Sequence, residues 1–292
     1  MDLGVHLPLM PFGDEPLSLA RLTRTVDAAL ECGFAAISAN DHFVFQTPWL
    51  DGPTALASVI ERSGRMTLAT TVSLVALRGP VPLAKALAAI DILSEGRLVA
   101  ALGPGSSKRD YDAVGLSFDH RWQLFDESIA GLRDALGELA PPPRQSGGVP
   151  LWIGSWGSDA GLARVARAGD GWLASAYNTT PERFAAARSL LAHKLAERGR
   201  GADGFPNALA TMWTWVCDRA DGERMVADVL APLLGRDPDD LRAQVCVGPP
   251  EHCVELLSRY VEAGCARVYL WLLGDEPRQL ELIASDVAPA LN

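Results

Sequence analysis

RMTLATTVSLVALRGPVPLAKALAAIDILSEGRLVAALGPGSS, residues 65–107, reads as one strand–helix–strand unit that ends in a glycine-rich loop. Residues 66–75 are apolar and β-branched without sustained polar alternation, the pattern of a strand buried on both faces. Arg78-Gly79-Pro80 breaks that run. Over about 81–93, Leu83, Leu87, Ile90 and Leu93 recur at spacings of three and four, which predicts a helix with one apolar stripe. Gly96 stands where a left-handed helix exit favours a residue without a Cβ. Residues 98–102 form a second apolar strand, and Gly103-Pro104-Gly105-Ser106-Ser107 follows at its carboxyl end. A right-handed crossover makes the two strands parallel. In a parallel α/β sheet, the loop after such a strand lies on the ligand-binding face.

The same alternation runs through the rest of the chain. Further strands are expected at 2–9, 34–39, 150–153, 171–174, 209–216 and 267–272. Between them lie helical patterns at about 54–62, 181–198, 223–234, 249–264 and 277–286. Another helix is capped by Ser18 and one by Asp119, and one follows directly on Gly154-Ser155-Trp156-Gly157. Residues 140–149 (APPPRQSGGV) are the one linker-like stretch, of ordinary surface-loop length. Eight strands alternating with helices over 292 residues favour a single closed (β/α)8 barrel, a TIM barrel spanning 1–292.

Composition narrows the function classes. The chain is 48% hydrophobic and 21% charged, as globular proteins are. A formal charge of −10 argues against a nucleic-acid partner, since phosphate binding needs a basic stripe. No apolar run reaches membrane-spanning length, and no signal-peptide pattern precedes the first strand. A cytoplasmic location and no membrane partner are therefore expected. The five cysteines form no C-x-x-C pair and no usual zinc spacing, which predicts buried free thiols and no metal.

Four features carry the chemistry. Asp41-His42 follows an apolar strand abruptly, at what would be the barrel mouth. An imidazole there could exchange a proton with a substrate or cofactor; a loop ion pair or a helix cap is the plainer alternative. The loop bearing Gly103, Gly105 and Ser106 permits close backbone approach to an anionic or flat polar ligand, or is simply a tight turn. Gly154, Ser155, Trp156 and Gly157 would offer amide groups at a helix start, a ready phosphate site, or again a simple turn. Trp172, Trp213, Trp215 and Trp271 fall on the last strands, where they either fill the core or line a slot for a planar ring. His6 is expected inside the barrel, and His120 and His193 on the surface.

Taken in order, several motifs resemble the bacterial luciferase-like family of flavin- and deazaflavin-dependent oxidoreductases. They are Asp41-His42-Phe43, Thr70 to Arg78 with Pro80, Leu93-Ser94-Glu95-Gly96-Arg97, the 103–107 loop, Asp110-Tyr111 with Gly115, and Arg121. Trp152-Ile153-Gly154-Ser155, Asp170-Gly171-Trp172 and Gly248-Pro249-Pro250-Glu251 follow. The resemblance covers nearly the whole chain and is nearest to members that use coenzyme F420. It implies a flavin-type ring at the carboxyl ends of the strands and a hydride moved between F420 and a small organic substrate. It also implies His42 as proton donor or acceptor, Asp41 against the cofactor, and a non-proline cis peptide in a strand bulge near Thr71-Val72-Ser73. Cofactor contacts would come from Thr70, Thr71, Val72 and Ser73, from the glycine loop, and from Ser155 with the amides of Trp156 and Gly157. Lys108, Arg109, Arg121 and Arg164 are the cations expected to offset the chain's acidity. Two alternatives stand beside this reading: a monooxygenase using reduced FMN, and a non-catalytic flavin-binding barrel. Sugar-phosphate dehydrogenase relatives carry a Glu where this chain has Ser106, so their substrate does not transfer. Relatives with this barrel are commonly homodimers, and apolar faces at 56–60 and 83–90 are the expected patch.

Overall fold

The computed structural model describes residues 1–13, 15–138 and 141–291. Nine strands are present among them: β1 (Asp2–His6), β2 (Ala36–Ala39), β3 (Thr67–Ser73), β4 (Leu98–Leu102), β5 (Leu151–Gly154), β6 (Gly171–Ser175), β7 (Asn207–Val216), β8 (Cys246–Gly248) and β9 (Arg267–Leu272). Every ladder is parallel. β1 to β7 pair in sequence, β7 pairs with β9, and β9 pairs with β1, so eight strands close a ring. The fold is a (β/α)8 barrel. β8 stands outside the ring, paired with the end of β7 through Thr214 and Cys246.

Strand alternation divides the side chains into two cores. Val5, Ile37, Leu68, Leu102, Ile153 and Leu270 face outward into the layer beneath the helices. Ala36, Ala69, Ala101, Ala208 and Ala210 face inward, where Trp152, Leu173 and Tyr269 fill the barrel between them. Small residues on most strands let a few large rings occupy the axis without overpacking.

Two strands break the alternation. The ladder between β3 and β4 slips between Thr71 and Ser73, and the Thr71–Val72 peptide is cis, as the resemblance implied. The ladder between β7 and β9 slips between Leu209 and Met212, where Thr211 adopts φ 55°. One extra residue shifts the inward set by one. Ala208 and Ala210 point inward before the slip, and Trp213 does so after it.

Helices α1 (Leu19–Glu31), α2 (Gly52–Ser58), α3 (Val75–Arg78), α4 (Pro80–Leu93), α5 (Lys108–Ala113), α6 (Arg121–Glu138), α7 (Asp159–Ala168) and α8 (Pro181–Ala196) cover the first two thirds of the chain. Ser18 and Thr180 cap α1 and α8 as expected. Asp119 does not cap α6; it lies in a short 3₁₀ turn, Phe118–His120, that leads into it. On α4, Leu83, Leu87 and Ile90 are buried but Leu93 is 66% exposed. Asp91 takes the buried place instead, its carboxylate accepting the amides of Arg144 and Gln145. That contact pins the linker-like stretch to the barrel; Ala140, its first residue, lies outside the described residues.

The faces expected at a dimer patch also serve the barrel shell. Leu56, Leu83, Leu87 and Ile90 are all buried in the shell. All five cysteines are free, with Cys246, Cys253 and Cys265 buried. No helix among the described residues is long and apolar enough to cross a membrane. His120 is exposed and His193 pairs with Glu197 on the surface.

Candidate active site

The carboxyl ends of the strands form a mouth with two unlike sides. On the β2–β5 side the charged groups are fixed by one another. Asp41 leaves β2 with its side chain buried. Arg78, at the end of α3, holds it in a fork, Nε to Oδ2 at 2.8 Å and Nη2 to Oδ1 at 2.6 Å. The Leu74 amide donates to Oδ2 at 3.2 Å, and the Asp41 amide donates to the Val72 carbonyl at 3.1 Å. The carboxylate therefore clamps the bulged end of β3. Arg78 also pairs with Asp51. Burial opposes the Arg78 charge, but the two carboxylates outweigh it and push its pKa up.

His42 points away from Asp41. Its Nδ1 lies 2.9 Å from Asp110 Oδ2, across 68 residues of sequence. The Phe43 and Val44 amides donate to Asp110 Oδ1 at 3.0 and 2.7 Å, so the acid is held from both sides. Burial works to raise the Asp110 pKa; the His42 contact and the two amides win, and it falls below the usual carboxylate range. With Nδ1 turned to Asp110, Nε2 is the ring nitrogen left for another partner. Phe45 and Trp49 frame the ring at centroid distances of 4.4 and 4.8 Å. The acid that orients His42 is thus Asp110 rather than its neighbour Asp41.

The glycine loop places that acid. Ser107 caps α5 by accepting the Asp110 amide at 3.3 Å, and the Tyr111 hydroxyl donates to the Pro104 carbonyl. Gly103 and Gly154 stand under Val72. A Cβ on Gly103 would come within 2.7 Å of Val72 Cγ2, and one on Gly154 within 3.1 Å of Cγ1. A side chain at 103 would displace Val72, and one at 154 would crowd it. On either side of it, Thr71 Oγ1 and Ser73 Oγ are buried without a hydrogen-bond partner among the described residues. Thr70 differs from the other three: its hydroxyl donates to the Ala101 carbonyl at 2.7 Å, within the sheet.

The stretch after β5 departs from expectation. Gly154-Ser155-Trp156-Gly157 does not open a helix. α7 begins at Asp159 and is capped by Ser158, which accepts the Gly161 amide at 3.2 Å. Ser155 instead organises a turn, its Oγ accepting the Gly157 amide at 3.2 Å. Trp156 is 60% exposed beside it, and Gly105 and Ser106 line the rim of the neighbouring loop. Of the expected cations, Lys108 pairs with Asp112 and Arg164 with Asp126, while Arg121 lies over the Phe118 ring. Arg109 is exposed. No cluster of metal-ligating side chains occurs among the described residues.

The β1, β7 and β9 side is aromatic. Trp271 stacks on His6 at 3.8 Å and meets Trp213 edge-on at 4.9 Å. Trp49 lies 6.3 Å from Trp271 and joins this group to His42. His6 is fully enclosed, with Nε2 to Asn40 Oδ1 at 3.2 Å and Nδ1 to Ser38 Oγ at 3.1 Å. Burial pulls its pKa down to about 3, against a smaller opposing effect of Asn40. Trp172 does not belong here. It packs on Phe184 beneath the helices, and its indole N–H donates to the Ser155 carbonyl at 2.9 Å. Three of the four expected tryptophans, and Trp49 besides, do gather at the mouth, Trp215 packing against the same aromatic group.

A family model described as luciferase-like monooxygenase matches residues 3–235. The chain belongs to the luciferase-like monooxygenase family. Among curated luciferase-like relatives, an uncharacterised protein of Mycobacterium tuberculosis is 26% identical over 231 residues, covering 73% of this chain and 78% of that protein. An F420-dependent glucose-6-phosphate dehydrogenase of Gordonia bronchialis is 32% identical over 117 residues, 37% of this chain and a third of that enzyme (33%). Solved luciferase-like structures share the fold over the full chain. The monooxygenase RslO1 from Streptomyces bottropensis superposes with TM-score 0.84 at 20% identity, covering 100% of both chains. An F420-dependent secondary alcohol dehydrogenase superposes with TM-score 0.84 at 15% identity, covering 100% of this chain and 99% of that one.

Proposed function

We propose that this luciferase-like protein is an oxidoreductase that transfers a hydride between the deazaflavin coenzyme F420 and a small organic substrate. One observation carries the reading: His42 stands at the mouth with Nδ1 fixed by Asp110 and Nε2 free to take or give a proton. The similarity to the F420-dependent dehydrogenase of Gordonia bronchialis supports the choice of coenzyme.

The residues at the mouth fit a flat, polar-edged ring. Val72 offers an apolar step, Gly103 and Gly154 keep the floor low around it, and the orphaned hydroxyls of Thr71 and Ser73 flank it. A buried hydroxyl without a partner is uncommon unless a ligand supplies one. Ser155 and the Trp156 amide would meet the coenzyme's phosphate. When bound, the deazaflavin supplies a ring carbon that gives or accepts a hydride. The chain's own part is to orient, exclude water and move a proton. Asp110 orients the His42 ring through Nδ1, so that Nε2 would protonate or deprotonate a substrate oxygen as the hydride moves.

A second reading has its own support. The family model is named for monooxygenases, and the likeness to RslO1 spans the whole chain, which favours a reduced-FMN monooxygenase on the same mouth. Titration of the purified protein with F420 and with FMN, followed by absorbance and fluorescence, separates the two. At least tenfold tighter binding of F420 is expected. The reverse order transfers the assignment to the monooxygenase, and binding of neither overturns both.

A further inference from the structure

The indole N–H groups on the aromatic side decide what it can bind, and Trp172, away from it, serves as a contrast. Trp49 donates to Asn40 Oδ1 at 3.2 Å and Trp172 donates to the Ser155 carbonyl at 2.9 Å. Trp213 and Trp271 donate to nothing among the described residues, although their rings are only 3% and 5% exposed. A buried N–H without an acceptor is rare in a folded protein, and here two belong to rings that meet edge-on. Both rings line the same cleft between the start of the chain and the ends of β7 and β9. Its other walls include His6, Met10, Phe12 and Trp49. The free space there is about 10 Å³, what one water-sized group occupies. So the end of a molecule enters the cleft, not its body.

The walls also say what kind of end. No Lys, Arg, Asp or Glu lines the cleft. His6, its one ionisable wall, is committed to Asn40 and Ser38 and stays neutral because burial holds its pKa near 3. An anion would find two weak donors and no counter-charge in an apolar surround, which costs far more desolvation than it recovers. A neutral oxygen would find two donors that already sit out of water, so forming the bonds strips no further solvent from the protein. Trp49 then provides the path back to the proton-exchanging site, since it lies against both Trp271 and His42.

Building on the oxidoreductase reading of the mouth, we infer that the substrate is an uncharged, largely apolar molecule with an acceptor oxygen such as a carbonyl. That oxygen is received by the indole N–H groups of Trp213 and Trp271, while the apolar body lies along Trp49 toward His42. Phosphorylated sugars and carboxylates are excluded from this cleft by the same argument.

The test uses isosteric probes and needs neither coenzyme nor turnover. Acetophenone and α-methylstyrene share a shape, with C=O in one replaced by C=CH2 in the other; benzoate adds a charge. Ligand-observed NMR titration of the protein without added coenzyme should give acetophenone about tenfold tighter than α-methylstyrene, the size of one to two net hydrogen bonds. Benzoate should bind more weakly than either. In Trp213→Phe and Trp271→Phe, which keep an aromatic ring and remove the donor, the ketone's advantage should fall below threefold. Equal or tighter binding of the alkene to the unaltered protein overturns the inference, as does tight binding of benzoate or no binding of any probe. The first comparison requires no variant, so a misfolded mutant cannot obscure it. Because no coenzyme is present, the outcome is independent of whether F420 or FMN binds.

Discussion

The two bulged strands, β3 and β7, face each other across the barrel and put one extra residue to opposite uses. On β3 the slip between Thr71 and Ser73 raises Val72 over Gly103 and Gly154, and the surrounding charges lock in pairs: Arg78 with Asp41 and Asp51, Asp110 with His42. On β7 the slip near Thr211 turns Trp213 into the mouth, where its N–H and that of Trp271 find no acceptor among the described residues. One side therefore has its charged groups paired with one another and, among the described residues, leaves open only the Thr71 and Ser73 hydroxyls. The other is aromatic, and there two indole N–H groups stay unpaired among the described residues while Asn40 and Ser38 are taken up by His6 and Trp49. A single backbone device has built both the fixed and the receptive wall of one site.

The largest effect that separates the two walls is catalytic. His42→Ala should lower turnover by about 10²–10⁴, the usual contribution of general acid–base catalysis, while F420 affinity stays within about threefold. Single-turnover kinetics beside a binding titration measure both. Loss of binding with no loss of turnover in the bound fraction would make His42 a packing residue, and the proton-transfer role of the polar side would fall with it.

The next effect is structural. Arg78→Ala leaves the buried Asp41 carboxylate without its guanidinium, and removing one partner of a buried pair costs roughly 3–5 kcal/mol. Urea denaturation should show a loss of about 3 kcal/mol, and adding Asp41→Asn should restore part of it. A loss below 1 kcal/mol would mean that the clamp on β3 is no stronger than a surface ion pair.

Much of this arrangement is legible in the chain, and the failures have physical reasons. The strand–helix–strand unit at 65–107 declares itself because its apolar runs are long and its breaks are Gly and Pro. The three-residue strand β8 is too short to carry a pattern. Leu93 fits the helical spacing better than Asp91, yet Asp91 is buried because a loop 53 residues away supplies its hydrogen bonds. Asp110 was visible as part of a motif but not as the partner of His42, since their meeting depends on barrel closure. The one local signal is Ser107, three residues earlier: Ser-x-x-Asp marks a helix start and so places Asp110 in the first turn of α5, but it does not name the partner. Nothing local marks Thr211, a β-branched residue with positive φ, as a bulge. Hence the inward turn of Trp213 could not be told from core packing.

The smallest effect tests the comparison through pH, because the two walls titrate in different windows. His6, on the aromatic side, has its folded pKa lowered to about 3 from 6.5 by burial. Between those values the unfolded chain binds a proton that the folded chain refuses, so stability falls as pH drops below about 6.5. Asp110, on the polar side, also has a lowered folded pKa, against a reference of 3.8. Its contribution is present above that reference and is lost as pH falls through the lower folded value. Acidification therefore weakens the aromatic wall first. The unfolding free energy from urea titration should fall by about 1 kcal/mol more between pH 7 and 5.5 in the unaltered protein than in His6→Gln, which cannot titrate. Asp110→Asn should keep that upper limb and instead lose, by a few tenths to about 1 kcal/mol, an advantage the unaltered protein holds at pH 7 and gives up below about pH 4. If both variants flattened the same window, His6 and Asp110 would be coupled through Trp49 and His42, and the mouth would be one electrostatic unit rather than two walls.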